Sequence, residues 1–289
     1  MKGGSKLAYL FLSPSLVLVS LFFLYPLSQL VYMSFCKWNI IGNYGIFVGL
    51  RNYVEILQDE IFVNSIVTTT VYTAMVVPLL AIGAIALAML TGRELPGMAV
   101  FRAIYFSPWV IPWLSAGLTW LWMYNDVYGL INYVLRSLGL IREPILWFSD
   151  RWLAVTAVVI MVLWKAVGYN MVILMGGLSA IPKELYEAAE VDGAGRLYKF
   201  FYITLPLLKP TIALIVILAV AGSYLAFDHF YIMTHGAPAH TTETIVTWIY
   251  KTSFKHFKLG EGAAMSIILL LIVGTLSYIQ VKVFKVLKV

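Results

Sequence analysis

Charge is scarce in this chain: of 289 residues only 12% are Asp, Glu, Lys or Arg, whereas 61% are hydrophobic. One or two soluble domains of that composition would expose far too much apolar surface, so the chain reads as an integral membrane protein. Cysteine is nearly absent. Cys36 stands alone, so no disulfide forms within the chain, and cysteine says nothing about redox compartment. Catalytic signatures are missing as well. There is no G-x-x-x-x-G-K-[ST] loop to cradle nucleotide phosphates, and neither G-x-S-x-G nor H-E-x-x-H occurs. The net charge of +6 comes from basic residues scattered at the ends of apolar runs, which fits membrane orientation and not nucleic-acid binding. The four histidines, His229, His235, His240 and His256, have no carboxylate or thiolate at ligand spacing and are expected to be solvated or capping rather than metal-bound.

What the chain has in abundance is long apolar runs. Crossing about 30 Å of hydrocarbon takes about 20 apolar residues in a helix. Six tracts reach that length, residues 7–36, 61–92, 103–125, 152–180, 208–233 and 262–281. The first is far longer than the apolar region of a signal peptide and lacks a small-x-small cleavage site, so it is expected to be a retained helix. Backbone groups in lipid must be satisfied internally, and the alternation of a membrane barrel is absent. The expected architecture is therefore all-α, one transmembrane domain over residues 1–289 with six spans. Pro14, Pro26, Pro78, Pro108 and Pro112 interrupt these runs, either as kinks that let bundles rock or as passive packing. Leu130, Ile131, Val134, Leu135 and Leu138 have the spacing of a short interfacial helix. With both termini inside, the basic residues Lys2, Lys6, Arg93, Arg102, Lys183, Arg196, Lys199, Lys209, Lys282, Lys285 and Lys288 fall on the cytoplasmic side, a modest excess over the outer loops.

One short charged segment, 181–207, separates the fourth and fifth tracts. Pro182 suits a helix start, and Glu184 and Glu187 place negative charge near the positive end of its dipole. Leu185, Ala188, Ala189 and Asp192 recur at helical spacing and form one face, small enough in its alanines for another backbone to approach. Gly193 and Gly195 end the helix, and helical periodicity resumes from Arg196 to Thr204 before Pro206 marks entry to the next span.

The order Glu187-Ala188-Ala189, Gly193 and Leu205-Pro206 resembles the EAA motif of permease subunits of binding-protein-dependent ABC importers. Phe47-Val48-Gly49-Leu50-Arg51-Asn52-Tyr53 is similar to a segment of the carbohydrate-uptake branch, the maltose and glycerol-3-phosphate type. So is Tyr231-Ile232-Met233-Thr234 with Gly236, Pro238, Thr242, Glu243, Ile249-Tyr250 and Phe254. One departure is visible, because His235-Gly236-Ala237-Pro238 stands where that branch carries a run of glycines. The resemblance implies a prokaryotic inner-membrane permease with cytoplasmic termini. It implies a second permease subunit, two ATPase subunits that hold ATP and Mg, and an extracytoplasmic substrate-binding protein. The chain itself is then neither an enzyme nor a cofactor carrier. By the same resemblance Glu184, Glu187, Ala188, Ala189, Asp192, Gly193, Leu205 and Pro206 form the coupling segment that docks on the ATPase. A stand-alone carrier or channel for a small polar solute is the rival reading, and the lack of an inverted repeat counts against it.

Ionisable residues within spans are functional candidates by default. Lys165 lies near the middle of the fourth tract and Asp228 near the outer end of the fifth, about 10 Å apart in depth at 1.5 Å per helical residue, too far for a direct pair. Two readings of Lys165 stand open. It lines a polar cavity and donates to substrate oxygens, or carbonyls, water or a partner carboxylate neutralise it. Tyr169 shares its helix face. The resemblance to maltose-type permeases places Lys165 and Tyr169 opposite Gly222 and Ser223 on a sugar-contacting wall. Trp120, Tyr124 and Asn125 are further candidates for sugar contact, with interfacial anchoring as the alternative for the tryptophans. The expected cargo is a sugar, polyol or glycerol phosphate.

Overall fold

The computed structural model describes residues 4–39, 42, 44–92 and 96–285; Lys2, Arg93 and Lys288, expected on the cytoplasmic side, lie outside them. In chain order the helices are α1 (Gly4–Val19), α2 (Tyr25–Ser34), α3 (Arg51–Gln58), α4 (Glu60–Thr91), α5 (Met98–Val110), α6 (Trp113–Met123) and α7 (Leu130–Ser137). There follow α8 (Arg151–Ser179), α9 (Lys183–Val191), α10 (Arg196–Lys199), α11 (Leu205–Tyr224), α12 (Asp228–Met233), α13 (Ile245–Tyr250) and α14 (Leu259–Phe284). Single π-helical turns at Ser20–Leu24, Phe200–Thr204 and Lys251–Lys255 link or extend neighbouring helices. The two longest helices start at aspartates whose side chains cap exposed amides. Asp59 Oδ1 accepts from Ile61 N at 2.9 Å, and Asp150 Oδ1 accepts from Trp152 N at 2.8 Å and Leu153 N at 3.1 Å.

Among the described residues five continuous helical stretches are long and apolar enough to cross a membrane, Leu10–Ser34, Glu60–Thr91, Arg151–Ser179, Arg196–Tyr224 and Leu259–Phe284. The expected third span, 103–125, is not one helix. It breaks between α5 and α6 at Ile111–Pro112, where extended backbone at both residues, ψ 132° and 144°, ends the first half and opens the second. The expected fifth span, 208–233, differs at both ends. Its helix begins at Arg196, stops at Tyr224, and restarts as the short α12. Pro78, by contrast, does not interrupt α4, which runs for 32 residues through it. The loop helix expected around Leu130–Leu138 is present as α7, pinned by Asn132, whose Nδ2 donates to Ile145 O at 3.0 Å.

The chain divides into two compact units, residues 1–63 with 248–271, and residues 64–247 with 272–289. In the first, the antiparallel hairpin β1 (Cys36–Asn39) and β2 (Tyr44–Phe47) pairs Cys36 with Phe47. Gly49, with φ 62°, then turns the chain into α3. The buried Asn52 donates to Ser34 O at 2.8 Å and Cys36 O at 3.0 Å, and Tyr53 OH donates to Ser34 Oγ at 2.8 Å. The motif that reads as a family segment in sequence is thus a hydrogen-bonded clasp on the end of α2.

In the second unit α4, α6, α8 and α12 share a core that includes Tyr72, Val76, Trp120, Val158, Met161 and Phe230. Helix α5 lies unusually close to α8. A Cβ at Gly168 would stand 1.8 Å from Tyr105 O, so only glycine permits that approach. One turn earlier on α8 is Lys165.

Candidate functional site

Lys165 is buried, and its ammonium donates to Pro108 O at 3.1 Å, to Trp109 O at 3.2 Å and to Ile111 O. The break at Ile111–Pro112 leaves Pro108 O with the Ile111 amide alone, at 3.3 Å, and removes the backbone donors that a continuing helix would bring to Trp109 O and Ile111 O. Lysine has three N–H donors and no acceptor, so these three carbonyls use all of them. The same Nζ lies 4.8 Å from the centroid of Trp113 and 5.7 Å from that of Trp109, over the electron-rich ring faces. No ion pair joins Lys165 to Asp228 among the described residues.

Beside this knot lies a cavity of about 370 Å³, lined from α4, α5, α6, α8, α11 and the α11–α12 junction. Four of the sequence candidates meet there: Tyr169, Gly222, Ser223 and Asp228. Lys165 is not among the lining residues; its two aromatic neighbours, Trp109 and Trp113, are. Trp109 stacks on Tyr169 with centroids 4.2 Å apart and planes 14° from parallel. Trp113 lies 5.1 Å from the His229 ring, whose Nε2 is 3.1 Å from Tyr72 OH. His229 is therefore a buried, hydrogen-bonded residue of the cavity wall and not a solvated histidine. His240 is half-exposed, and its Nδ1 lies 3.0 Å from the buried carboxylate of Glu243. Sequence reasoning missed Trp109, Trp113, Tyr72 and His229 as lining residues. The only available signal was the density of aromatics around Pro108 and Pro112.

Tyr124 and Asn125 sit elsewhere. They line a separate hollow with Trp122, Trp147 and Phe148. Tyr124 OH donates to Ala157 O at 3.1 Å, and Asn125 Oδ1 accepts from Val127 N at 2.9 Å, so both are engaged by the fold itself. Trp120 is buried in the core against Tyr124 and Trp164.

The charged segment folds as α9, with Pro182 one residue before the helix in the N-cap position. Its C-terminus closes with two bonds, Gly193 N to Glu190 O at 3.0 Å and Ala194 N to Ala189 O at 2.8 Å, around Gly193 at φ 78°. This pattern needs the left-handed conformation at that position, which glycine takes without strain. Gly195 differs from expectation. It has φ −69° and caps the start of α10. One side of α9 braces the following turn: Tyr186 OH lies 2.9 Å from Thr204 Oγ1, and Glu190 pairs with Lys199 at 2.5 Å. That ammonium holds the Glu190 carboxyl below its ordinary range. Glu184, Leu185, Glu187, Ala188 and Asp192 face solvent, while Ala189 is half-buried. Leu205 is half-buried, and Pro206 is exposed in the first turn of α11. Val191 is 89% and Leu197 75% exposed, a large apolar area for residues beside so much charge.

Apolar helices of membrane-crossing length, a polar-edged cavity between them and a charged helix left bare at one turn define a helical membrane transport subunit. Residues 44–285 match the model of the binding-protein-dependent transport system inner membrane component, and the chain belongs to that family. It is 36% identical over 276 residues to the sn-glycerol-3-phosphate transport system permease protein UgpA of Agrobacterium fabrum, covering 95% of this chain and 93% of that one. It is 35% identical over 282 residues to the trehalose/maltose transport system permease protein MalF of Thermococcus litoralis, covering 96% and 94%. Its fold is similar to a crystal structure of a bacterial ABC transporter involved in the import of the acidic polysaccharide alginate, with a TM-score of 0.86 at 20% identity over 98% of this chain and 96% of that one.

Proposed function

We propose that this chain forms half of the translocation pathway of an ATP-driven importer for a sugar or sugar-like solute, and that α9 is its coupling helix. The observation that carries the reading is the two-sided construction of α9. One side is fastened to the next helix through Tyr186 and Glu190, while Glu184, Leu185, Glu187, Ala188 and Asp192 are left bare. A lever must be stiff toward its own bundle and open toward whatever moves it. Six crossings follow if α5 and α6 together make the third, as two half-helices joined at Ile111–Pro112. Both termini and α9 then lie on the cytoplasmic side, where ATP is.

Partners follow from that arrangement. A second, related permease completes the pathway, two ATPase subunits supply ATP and Mg chemistry, and an extracytoplasmic binding protein delivers cargo. ATP binding draws the two coupling helices together and switches access to the cavity. Glu187 contacts the ATPase, Ala188 and Ala189 allow close docking, and Gly193 with Leu205 and Pro206 sets the turn into α11. Tyr169, Gly222, Ser223 and Asp228 face the cargo, whereas Lys165 acts from behind the wall. The relatives named for glycerol phosphate and for trehalose and maltose support a small polyhydroxylated substrate.

Gly193→Pro or Glu187→Lys is expected to abolish cargo-stimulated ATP hydrolysis and uptake by the reconstituted complex while the chain still inserts. Normal uptake from either variant would remove the coupling role. Transport by this chain reconstituted alone would favour the stand-alone carrier.

A further inference from the structure

The cavity beside Lys165 has an electrostatic character of its own. Among the described residues that line it there is no lysine or arginine, and the one carboxylate is Asp228. Asp228 is exposed, and its side chain has no hydrogen-bond or ion-pair partner among the described residues. The nearby cation does not offset this toward a ligand. Lys165 is 1% exposed, and its three N–H groups are all taken by Pro108 O, Trp109 O and Ile111 O. Donating to a phosphate or sulfonate would uncover Trp109 O and Ile111 O at the break between α5 and α6, since the one backbone amide there, Ile111 N, goes to Pro108 O.

A buried anionic ligand needs charge-assisted donors, and an unpaired carboxylate facing it opposes binding. An uncharged polyhydroxylated ligand meets the opposite conditions. Its hydroxyls donate to a carboxylate, and its C–H faces pack on aromatic rings. Both elements are present: the Asp228 carboxylate, and the stacked Trp109–Tyr169 pair with Trp113 next to it. Asn170 and Ser223, both buried with their residues on the lining, add amide and hydroxyl groups.

Resting on the importer reading above, we infer that this cavity selects uncharged sugars or polyols and rejects phosphate esters and sugar acids, with Asp228 as the specificity-determining residue and Trp109–Tyr169 as the stacking platform. Lys165 is a positioning residue, which holds Trp109 and Trp113 in the wall by fixing the helix break.

The test uses the complete importer in lipid nanodiscs, without its binding protein, so that only the membrane cavity discriminates. Tryptophan fluorescence is titrated with trehalose, maltose and glycerol, and separately with sn-glycerol 3-phosphate and glucuronate. At least one uncharged solute is expected to give a saturable change, with both anions at least about tenfold weaker, the scale of one charge-assisted hydrogen bond gained or opposed. Asp228→Asn is expected to weaken the uncharged solute about tenfold and to narrow the gap to the anions. Because Asp228 is exposed and unpartnered, that variant is not expected to disturb folding. Anions binding as tightly as the best uncharged solute, no saturable change from any uncharged solute, or an unchanged preference in Asp228→Asn would each overturn the inference. ATP-dependent uptake by the same complex with its binding protein is measured in parallel. If it persists while the charge preference fails, the selectivity alone is wrong; if no solute moves with ATP, the importer reading is wrong.

Discussion

Lys165 and Glu187 are both charged residues of one compact unit, only 22 positions apart in sequence, yet they stand in opposite conditions. Around Lys165 every donor is satisfied within the chain, and the charge is turned away from the cavity surface. Around Glu187 the helix is braced on one side and its remaining polar groups are presented outward. The difference separates a charge that shapes a wall from a charge left open to solvent, the one proposed above to meet a partner. Burial with saturated carbonyl contacts marks the first, and exposure on a stiffly held helix marks the second.

The comparison breaks most severely at Gly168. A side chain there collides with the Tyr105 backbone, so Gly168→Val must push α5 off α8 and carry the carbonyl cluster away from Lys165. The expected loss of stability is about 3 kcal/mol or more, at the upper end for overpacking. Thermal unfolding of the purified complex in detergent measures it, and a melting temperature within error of wild type would show that the helices are not so close.

Next in size is Lys165→Met, which takes the ammonium from three carbonyls at the break and leaves only Pro108 O with a backbone donor, Ile111 N. A loss of about 1–3 kcal/mol is expected, together with altered fluorescence from Trp109 and Trp113. Amide exchange in α9 should stay unchanged. Exchange in α9 rising as much as exchange at 108–113 would mean that the two regions are not distinct.

The smallest effect belongs to the Glu190–Lys199 brace. Its carboxyl is held below the ordinary range by the ammonium, so the pair contributes fully above the unfolded-state value and its contribution is lost as pH falls through the lowered folded value. Protection of the amides at 192–199, measured against their intrinsic exchange rates at each pH, should therefore fall below about pH 4, near the usual carboxylate range, and Glu190→Gln should show the lower protection already at neutral pH. Glu190 is largely exposed although the Lys199 side chain is not, so salt should weaken the effect.

Legibility in the sequence followed the range of the interactions. Helix α9 could be read because its signals are local: Pro182 before it, acids in its first turn, and Gly193 after it all lie within a dozen residues. The long spans were legible for the same reason. The break within the expected third span was not, although Pro112 marks the place, because what stabilises it comes from Lys165, 54 to 57 residues along the chain. His229 read as solvated because its partner, Tyr72, is 157 residues away. Tyr124 and Asn125 read as sugar contacts on residue type; they line a different hollow, where Tyr124 bonds to Ala157 O, 33 residues away, and Asn125 caps its own turn at Val127 N. The eroded glycine run shows a local cost that sequence did reveal. His235, Ala239 and His240 take φ of 49°, 48° and 62°, the left-handed region that side chains disfavour.

Cross-linking from α9 is the most direct measurement. With Cys36, the single cysteine, changed to Ser, and with Ala188→Cys introduced on the bare side of α9, the complex is assembled in membranes and treated with a short reagent that joins a thiol to a lysine amine. A cross-link to the ATPase subunit whose yield changes with ATP is the predicted result. Labelling of that cysteine by an impermeant reagent added outside the cell, with no ATPase adduct, would contradict it.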